Sequence, residues 1–150
     1  MKYLYFILLF DFFACSAQVQ ETVKGVPFDA DYFAKGSAET LGIIVVAGSG
    51  IGKDNGTTKR LSHMGYNVLS LAYYDQGDNP YVPETLELVP LEYFNAPKVW
   101  LVERSNGVVL FGLSKGAELA LVLASYDPDY KAVIALAPSK VVWQGFQKIF

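Results

Sequence analysis

The stretch Val108–Ala124, VVLFGLSKGAELALVLA, decides the fold of this chain. An apolar run of strand character leads into a G-x-S-x-G pattern, and a helical run without a breaker follows. A nucleophile elbow has this order, because a serine at the tip of a sharp strand-to-helix turn exposes its hydroxyl at a helix N-terminus. Gly112 and Gly116 have no Cβ, so the strand and the helix can pass closely. We predict that Ser114 is the nucleophile of such an elbow; the alternative is a buried turn in which Ser114 is only a small residue.

The composition indicates a single domain with strands buried on both faces. The chain has 150 residues, and 52% of them are hydrophobic. This length allows at most one domain, and a high apolar content is typical of parallel sheets. The net charge is −3, and acids and bases are mixed along the chain. Without a basic patch we predict no nucleic-acid partner, and we also predict no cofactor and no metal site.

The first residues, Met1–Ala17, are typical of an export signal. Lys2 precedes an apolar run, and small residues follow that run. The run is too short to span a bilayer, which needs about 20 apolar residues. The single cysteine, Cys15, lies where the run ends, as in the lipobox of bacterial lipoproteins, so it is a candidate for lipidation and a lipid anchor. Ordinary cleavage after Ala17 and an uncleaved apolar segment are alternatives. The expected location is the bacterial cell envelope, with the cytoplasm as the alternative.

The rest of the chain alternates strands and helices. We assign 18–40 to a linker and N-terminal segment that could include a short edge strand, and 41–150 to one α/β domain. Pro97 should kink or split the second helix, and Thr57 or Thr58 is expected to cap the first. Alternation with helix-length connections predicts a mostly parallel sheet with helices on both faces. The predicted strands are 42–47, 66–73, 108–111 and 130–137, and the predicted helices are 58–64, 90–104 and 115–126.

In this order the motifs resemble the α/β-hydrolase fold. More narrowly, they resemble the C-terminal hydrolase domain shared by acyl-CoA thioester hydrolases and bile acid-CoA:amino acid N-acyltransferase. Two stretches carry most of the resemblance, Pro90–Phe94 (PLEYF) and Gly112–Glu118 (GLSKGAE), and together they are far more specific than the elbow alone. The similarity extends over about 41–145 and also includes Ala47–Gly52 and Val141–Gly145. It implies an α/β-hydrolase-like domain that is incomplete at its C-terminal side.

The resemblance also implies roles for the matched residues. Ser114 matches the family's nucleophile; the acyltransferase branch has a cysteine there, so the serine resembles the hydrolytic branch. The backbone N–H of Lys115 matches the oxyanion donor that follows the nucleophile, and Gly50 or Ile51 would provide a second donor. The loop that holds these two residues could instead be a tight turn or a phosphate loop, although the GK[ST] ending of a phosphate loop is absent. Glu118, one turn after the serine, could order the site or balance a local charge.

The expected activating partners do not follow Ser114 along the chain. The fold orders its triad as serine, acid and histidine, but the sole histidine, His63, precedes the serine. His63, Asp127 and Asp129 are predicted at the edge where strands start, whereas sites in parallel sheets lie where strands end. We therefore expect a chain that stops before its acid and histidine, or a non-catalytic relative. The last predicted strand would then be a bare edge.

Three functions remain open at this point. The leading hypothesis is the nucleophile half of a serine-dependent acyl thioester hydrolase of the acyl-CoA type, with a role in acyl-CoA and fatty acid metabolism. Its partner would be a small-molecule acyl thioester or ester, which Ser114 attacks to form an acyl-enzyme. A general esterase of the dienelactone-hydrolase kind is the first alternative, and an exported protein would favour such an ester because acyl-CoA is intracellular. An inert fragment or envelope lipoprotein is the second alternative.

Overall fold

The computed structural model describes residues 19–50, 52–74 and 79–142. The predictions for the export signal, for lipidation at Cys15 and for an oxyanion donor at Ile51 lie outside these residues. None of the helices in the described ranges is long and apolar enough to cross a membrane.

The described residues form one six-stranded sheet. Its strands are β1 (Val19–Thr22), β2 (Asp29–Ala34), β3 (Gly42–Val46), β4 (Asn67–Ala72), β5 (Val108–Leu113) and β6 (Ala132–Leu136). Their spatial order is β1-β2-β4-β3-β5-β6. The four strands from β3 to β6 run parallel, and β1 and β2 are antiparallel additions beside β4. The prediction of a mostly parallel sheet in an α/β fold is confirmed.

Helices cover both faces of this sheet, as the sequence predicts. They are α1 (Asn55–His63), α2 (Asn95–Val102) and α3 (Lys115–Tyr126). Alternate side chains of β3 point to opposite faces. Ile44 and Val46 join the core that includes side chains of α2 and α3, whereas Ile43 and Val45 pack with Leu61 of α1. Both faces of β3 and β4 are fully buried, which explains why the strands read as continuous apolar runs.

The start of the first helix and the position of the break in the second differ from the predictions. The first helix begins earlier, because Asp54 rather than Thr57 or Thr58 is its N-cap and its carboxylate accepts a hydrogen bond from the Thr57 N–H at 2.9 Å. The helix predicted over 90–104 is split, as expected, but the break precedes Pro97, because a 3₁₀ turn over Leu91–Phe94 comes before α2. Pro97 lies in the first turn of α2, where an amide N–H has no intrahelical acceptor.

The segment 18–40, assigned to a linker and N-terminal segment that could include a short edge strand, contains the edge strand β1 and a second strand, β2, that was not predicted. β2 is an internal strand that pairs with both β1 and β4. Its sequence, DADYFA, conceals this because aspartates are unfavourable in strands. Partners from distant segments make them tolerable, since Lys53 Nζ lies 3.0 Å from Asp29 and 3.4 Å from Asp31. Asn55 Nδ2 also donates to Asp31 at 2.9 Å.

β6 is an edge strand of the described sheet, as the sequence predicts. Two of its apolar side chains are largely exposed, Ile134 at 45% and Leu136 at 54%. The contrast with the buried β3 and β4 shows that the core lies between β2 and β5 and thins toward β6.

Candidate active site

The turn between β5 and α3 has the geometry of a nucleophile elbow. Ser114 has φ +52° and ψ −113°, a conformation that costs a residue with a Cβ about 1–3 kcal/mol. Hydrogen bonds hold it on both sides: its N–H donates to the Leu136 carbonyl at 2.9 Å, and its carbonyl accepts from the Ala117 N–H at 2.9 Å. The residue is exposed at the tip of the turn. The strained backbone therefore presents the serine hydroxyl to solvent at the N-terminus of α3.

The two glycines of the motif are required by close backbone contacts. A Cβ on Gly112 would lie 2.2 Å from the Gly116 carbonyl oxygen. A Cβ on Gly116 would lie 2.3 Å from the carbonyl oxygen of Val46 and 2.4 Å from that of Ala47. The Val46 and Ala47 oxygens belong to the backbone of β3 and of the loop after it, so they could move aside only if the sheet were distorted. The prediction that the glycines allow a close passage is confirmed, and the close neighbour of Gly116 is β3.

The glycine-rich loop after β3 lies against the elbow. A Cβ built on Gly48 would come within 3.5 Å of the Ser114 Cβ. Gly50, the predicted donor, is exposed, and apart from its chain neighbours no heavy atom of the described residues lies within 4 Å of a Cβ built on it. Gly50 and the Lys115 N–H, the first amide of α3, remain predictions as oxyanion donors. Their placement is consistent with that role, because both belong to segments that meet at Ser114.

Tyrosine hydroxyls also hold this loop, a feature that sequence reasoning missed. The Tyr73 hydroxyl donates to the Ala47 carbonyl at 2.8 Å. The Tyr74 hydroxyl lies against the carbonyl oxygens of Ser49 and, at 3.4 Å, of Gly48. Burial raises the pKa of the Tyr73 hydroxyl well above its ordinary value, so that hydroxyl remains a donor at any physiological pH. Two adjacent tyrosines directly after a buried strand were the signal in the sequence.

An ion pair lies on the first turn of α3, beside the serine. Lys115 Nζ is 2.8 Å from a carboxylate oxygen of Glu118, whose side chain is only 7% exposed. Such a buried carboxylate needs a charged partner. This contact supports the charge-balancing role of Glu118, whereas its role in ordering the site remains a prediction.

A cavity of about 490 Å³ opens beside the elbow, between α3 and the loop before the 3₁₀ turn. Volumes of this order are typical of small-molecule sites. Lys115 and Glu118 contribute to its wall, so the cavity reaches the residue next to Ser114. Its other lining residues are mostly aliphatic: Leu86, Leu88, Val89, Leu91, Leu119, Val122 and Val142, with Tyr73 and Glu87.

The structure separates His63 from Ser114, as the sequence predicts. His63 ends α1, which runs back from the carboxyl end of β3 to the start of β4, and its side chain is exposed. Asp127 and Asp129 lie at the same far edge, between α3 and β6, where both carboxylates contact Lys98. The hydrogen bond from Lys98 lowers the pKa of Asp127. None of these residues reaches the elbow. No group of three or more potential metal ligands occurs in the part of the chain that the structure describes.

Comparisons with known proteins show which family and relatives the chain resembles. Residues 89–149 match the model of the family BAAT / Acyl-CoA thioester hydrolase C terminal. The chain is 32% identical to acyl-coenzyme A thioesterase 5 of Mus musculus over 109 residues, which are 70% of this chain and 25% of the relative. It is 34% identical to the mitochondrial acyl-coenzyme A thioesterase 2 of Homo sapiens over 99 residues, 63% of this chain and 20% of the relative. The chain thus spans a quarter or less of the length of these two relatives.

Solved structures support the fold. An esterase of Pyrococcus furiosus superposes with a TM-score of 0.61 at 21% identity, over 81% of this chain and 51% of the esterase. A dienelactone hydrolase of Anabaena variabilis gives a TM-score of 0.60 at 19% identity, over 77% of this chain and 62% of that chain. The chain is therefore similar to the BAAT / acyl-CoA thioester hydrolase C-terminal family, and it has the α/β-hydrolase fold.

Proposed function

We propose that this chain carries the acyl-transfer half of a hydrolase of acyl thioesters or esters, with Ser114 as the nucleophile. The strained, exposed conformation of Ser114 between two obligatory glycines is the observation that supports the proposal. A turn with only a structural role gains nothing from a φ of +52° on a residue with a Cβ, whereas a nucleophile gains an accessible hydroxyl. The thioesterase names of the relatives favour a thioester as the substrate.

The chemistry follows from the positions of the backbone groups. The Ser114 oxygen bonds to the carbonyl carbon of the substrate, and its proton passes to a base. The carbonyl oxygen becomes an oxyanion that the N–H groups of Lys115 and the Gly48–Gly50 loop would stabilise. The tetrahedral intermediate then expels the thiolate or alkoxide, which takes up the proton. Water attacks the resulting acyl-serine in a second, equivalent cycle that releases the carboxylic acid.

The apolar cavity suggests where the acyl group would lie. Its wall includes Lys115, whose N–H is the proposed donor, so an acyl carbonyl at the elbow would place its chain near Leu119 and Val122. Burying aliphatic carbons in such a site contributes about 0.8 kcal/mol for each CH₂ group. We therefore expect reactivity to rise with the length of an aliphatic acyl chain until the cavity is full.

The missing contact between Ser114 and His63 limits the rate of this chemistry. A serine hydroxyl is a weak nucleophile unless a base accepts its proton. His63 lies at the far edge of the sheet, so it cannot act as this base. Binding and oxyanion stabilisation alone still accelerate a reaction by about 10³–10⁴-fold over water. We expect the isolated chain to become acylated at Ser114 slowly and to turn over more slowly still.

Active-site labelling tests the proposal directly. The folded chain is incubated with an alkyl fluorophosphonate, and intact mass and peptide mapping locate the adduct. We expect one adduct, on Ser114, which Ser114→Ala abolishes. The matched control Ser125→Ala changes an exposed serine on the same helix and should leave labelling intact. Absence of an adduct in folded protein would favour the inert alternative.

Substrate choice and the missing base are tested with one assay series. Acyl thioesters and p-nitrophenyl esters of matched chain length distinguish a thioesterase from a general esterase. Added imidazole can replace an absent histidine, so it should accelerate release of product from the wild type more than from Ser114→Ala. Equal acceleration of both proteins would show that imidazole acts in solution and would count against a serine nucleophile.

Export and lipidation at Cys15 are a separate proposal, which depends on the sequence of Met1–Ala17 alone. The mass of the mature N-terminus distinguishes a lipidated Cys15 from a start at Gln18 or at Met1. A start at Met1 would contradict export with cleavage.

A further inference from the structure

Two neighbouring tyrosines contact three consecutive carbonyls of the loop beside Ser114. The Tyr73 hydroxyl donates to the Ala47 carbonyl, and the Tyr74 hydroxyl lies against those of Gly48 and Ser49. The contact from Tyr74 to Ser49 is the shorter of its two. The loop itself is a Gly-Ser-Gly segment, whose peptide planes turn easily because glycine tolerates many backbone conformations. A hydroxyl directed at these carbonyls therefore selects one orientation of a flexible segment.

The planarity of the peptide bond transmits this selection to the N–H groups. In a trans peptide the carbonyl of one residue and the N–H of the next point in opposite directions. A Ser49 carbonyl directed at Tyr74 thus directs the Gly50 N–H away from Tyr74. Gly48, two residues before Gly50, lies against Ser114, so this N–H belongs to the loop that borders the serine. Within the described residues, neither the Ser49 N–H nor the Gly50 N–H donates to a backbone carbonyl.

Tyr74 is itself held in place by its neighbours. Its ring packs edge-on against the Tyr73 ring, with centroids 5.1 Å apart and planes at 69°. Tyr73 is 1% exposed and packs in turn against Phe94. The hydroxyl of Tyr74 therefore approaches the loop from a rigid aromatic cluster, as a positioning group requires.

We propose that Tyr74 is a positioning residue, which turns the Ser49–Gly50 peptide so that the Gly50 N–H faces the oxyanion formed at Ser114. This inference depends on the proposed function of Ser114. It adds to the site a residue outside the elbow and the glycine loop. The second oxyanion donor, the Gly50 N–H, then depends on a side chain that follows the neighbouring strand, β4. Loss of the hydroxyl should lower the rate of acyl or phosphonyl transfer while leaving the binding of the reagent unchanged.

The test compares Tyr74→Phe with the matched variant Tyr93→Phe. Tyr93 also donates to a backbone carbonyl, that of Ala72 at 2.6 Å, but its acceptor lies outside the glycine loop. Each variant thus loses one tyrosine hydroxyl bonded to a carbonyl. Saturation kinetics with an alkyl fluorophosphonate give the affinity for the reagent and the rate constant of phosphonylation separately. Thermal unfolding sets a temperature at which all three proteins are folded.

We expect Tyr74→Phe to reduce the rate constant about 10-fold or more with unchanged reagent affinity, since deleting an oxyanion donor itself costs about 10²–10³-fold. Tyr93→Phe should react within about twofold of the wild type. Wild-type labelling with no loss in Tyr74→Phe overturns the inference and leaves the proposed function standing. An equal loss of the rate constant in both variants also overturns it, because the effect would then come from a general loosening of the fold and not from the loop. A wild type that does not label Ser114 overturns the proposed function, and the inference with it.

Discussion

The strain at Ser114 gives a prediction with an unusual sign: replacing this serine with glycine should make the protein more stable than replacing it with alanine. Both variants remove the hydroxyl, which makes no capping hydrogen bond to α3. They differ only in the Cβ, and a Cβ is what disfavours φ +52° with ψ −113°. Glycine adopts such angles freely.

The magnitude follows from two opposing terms. A residue with a Cβ in a sparsely populated region of φ and ψ costs about 1–3 kcal/mol, which glycine recovers. Glycine also makes the unfolded chain more flexible, and this lowers stability by about 0.4–1 kcal/mol relative to alanine. We therefore expect the free energy of unfolding of Ser114→Gly to be about 1 kcal/mol higher than that of Ser114→Ala. This difference corresponds to about 2–4 °C in Tm for a chain of this size.

Urea and thermal unfolding of both variants measure this difference. A second serine on the same helix provides the control, because Ser125 lies in the helical conformation near the end of α3 and is exposed. There, Ser125→Gly should be less stable than Ser125→Ala by about 0.5–1 kcal/mol, since glycine is a poor helix former. The two positions should therefore show opposite signs. If Ser114→Gly is the less stable variant at its position as well, the elbow is not strained and the argument for a presented nucleophile loses its main support.

Three further predictions concern the surroundings of the elbow. Gly116→Ala should destabilise the fold by about 2 kcal/mol or more in urea unfolding, because its Cβ would meet carbonyl oxygens of the β3 segment at 2.3–2.4 Å. Asp54→Ala should cost about 1 kcal/mol of unfolding free energy through the lost N-cap of α1. Lys98→Met should cost about 1 kcal/mol near neutral pH. Since Lys98 lowers the pKa of Asp127, this last cost should be constant above the ordinary carboxyl pKa of 3.8 and shrink as the pH falls below it.

Each of these predictions has a result that contradicts it. A Gly116→Ala variant with wild-type stability and labelling would show that the helix can withdraw from β3. Asp54→Asn keeps an N-cap acceptor and should retain most of the stability, so equal losses in the asparagine and alanine variants would place the effect elsewhere. A cost of Lys98→Met that stays constant down to pH 2 would mean that the ion pair with Asp127 contributes nothing and that only packing was lost.

Local pattern was sufficient to predict most of the fold. The strands from β3 to β6 are apolar runs bounded by turn residues, and the three helices lie between them, so the alternating order was readable. The elbow was also readable, since Gly112, Ser114 and Gly116 have fixed spacing and each has a steric reason. β2 was missed because its two aspartates depend on Lys53 and Asn55, and pairing with a distant segment leaves no local signal.

The sequence by itself determined that a serine stands in a strand–turn–helix motif, that the chain has a single histidine, and that this histidine precedes the serine. Only the tertiary structure decided what surrounds the serine. Three features around the serine involve segments that are 25 or more residues apart and that meet only when the sheet forms. They are the contact of Gly48 with Ser114, the tyrosine hydroxyls on the loop carbonyls, and the apolar cavity beside Lys115. Residue spacing along the chain determines the elbow, because its contacts are local. The oxyanion loop and the cavity depend on which strands become neighbours, and β3 pairs with β5 although α1, β4, the 3₁₀ turn and α2 lie between them in the chain.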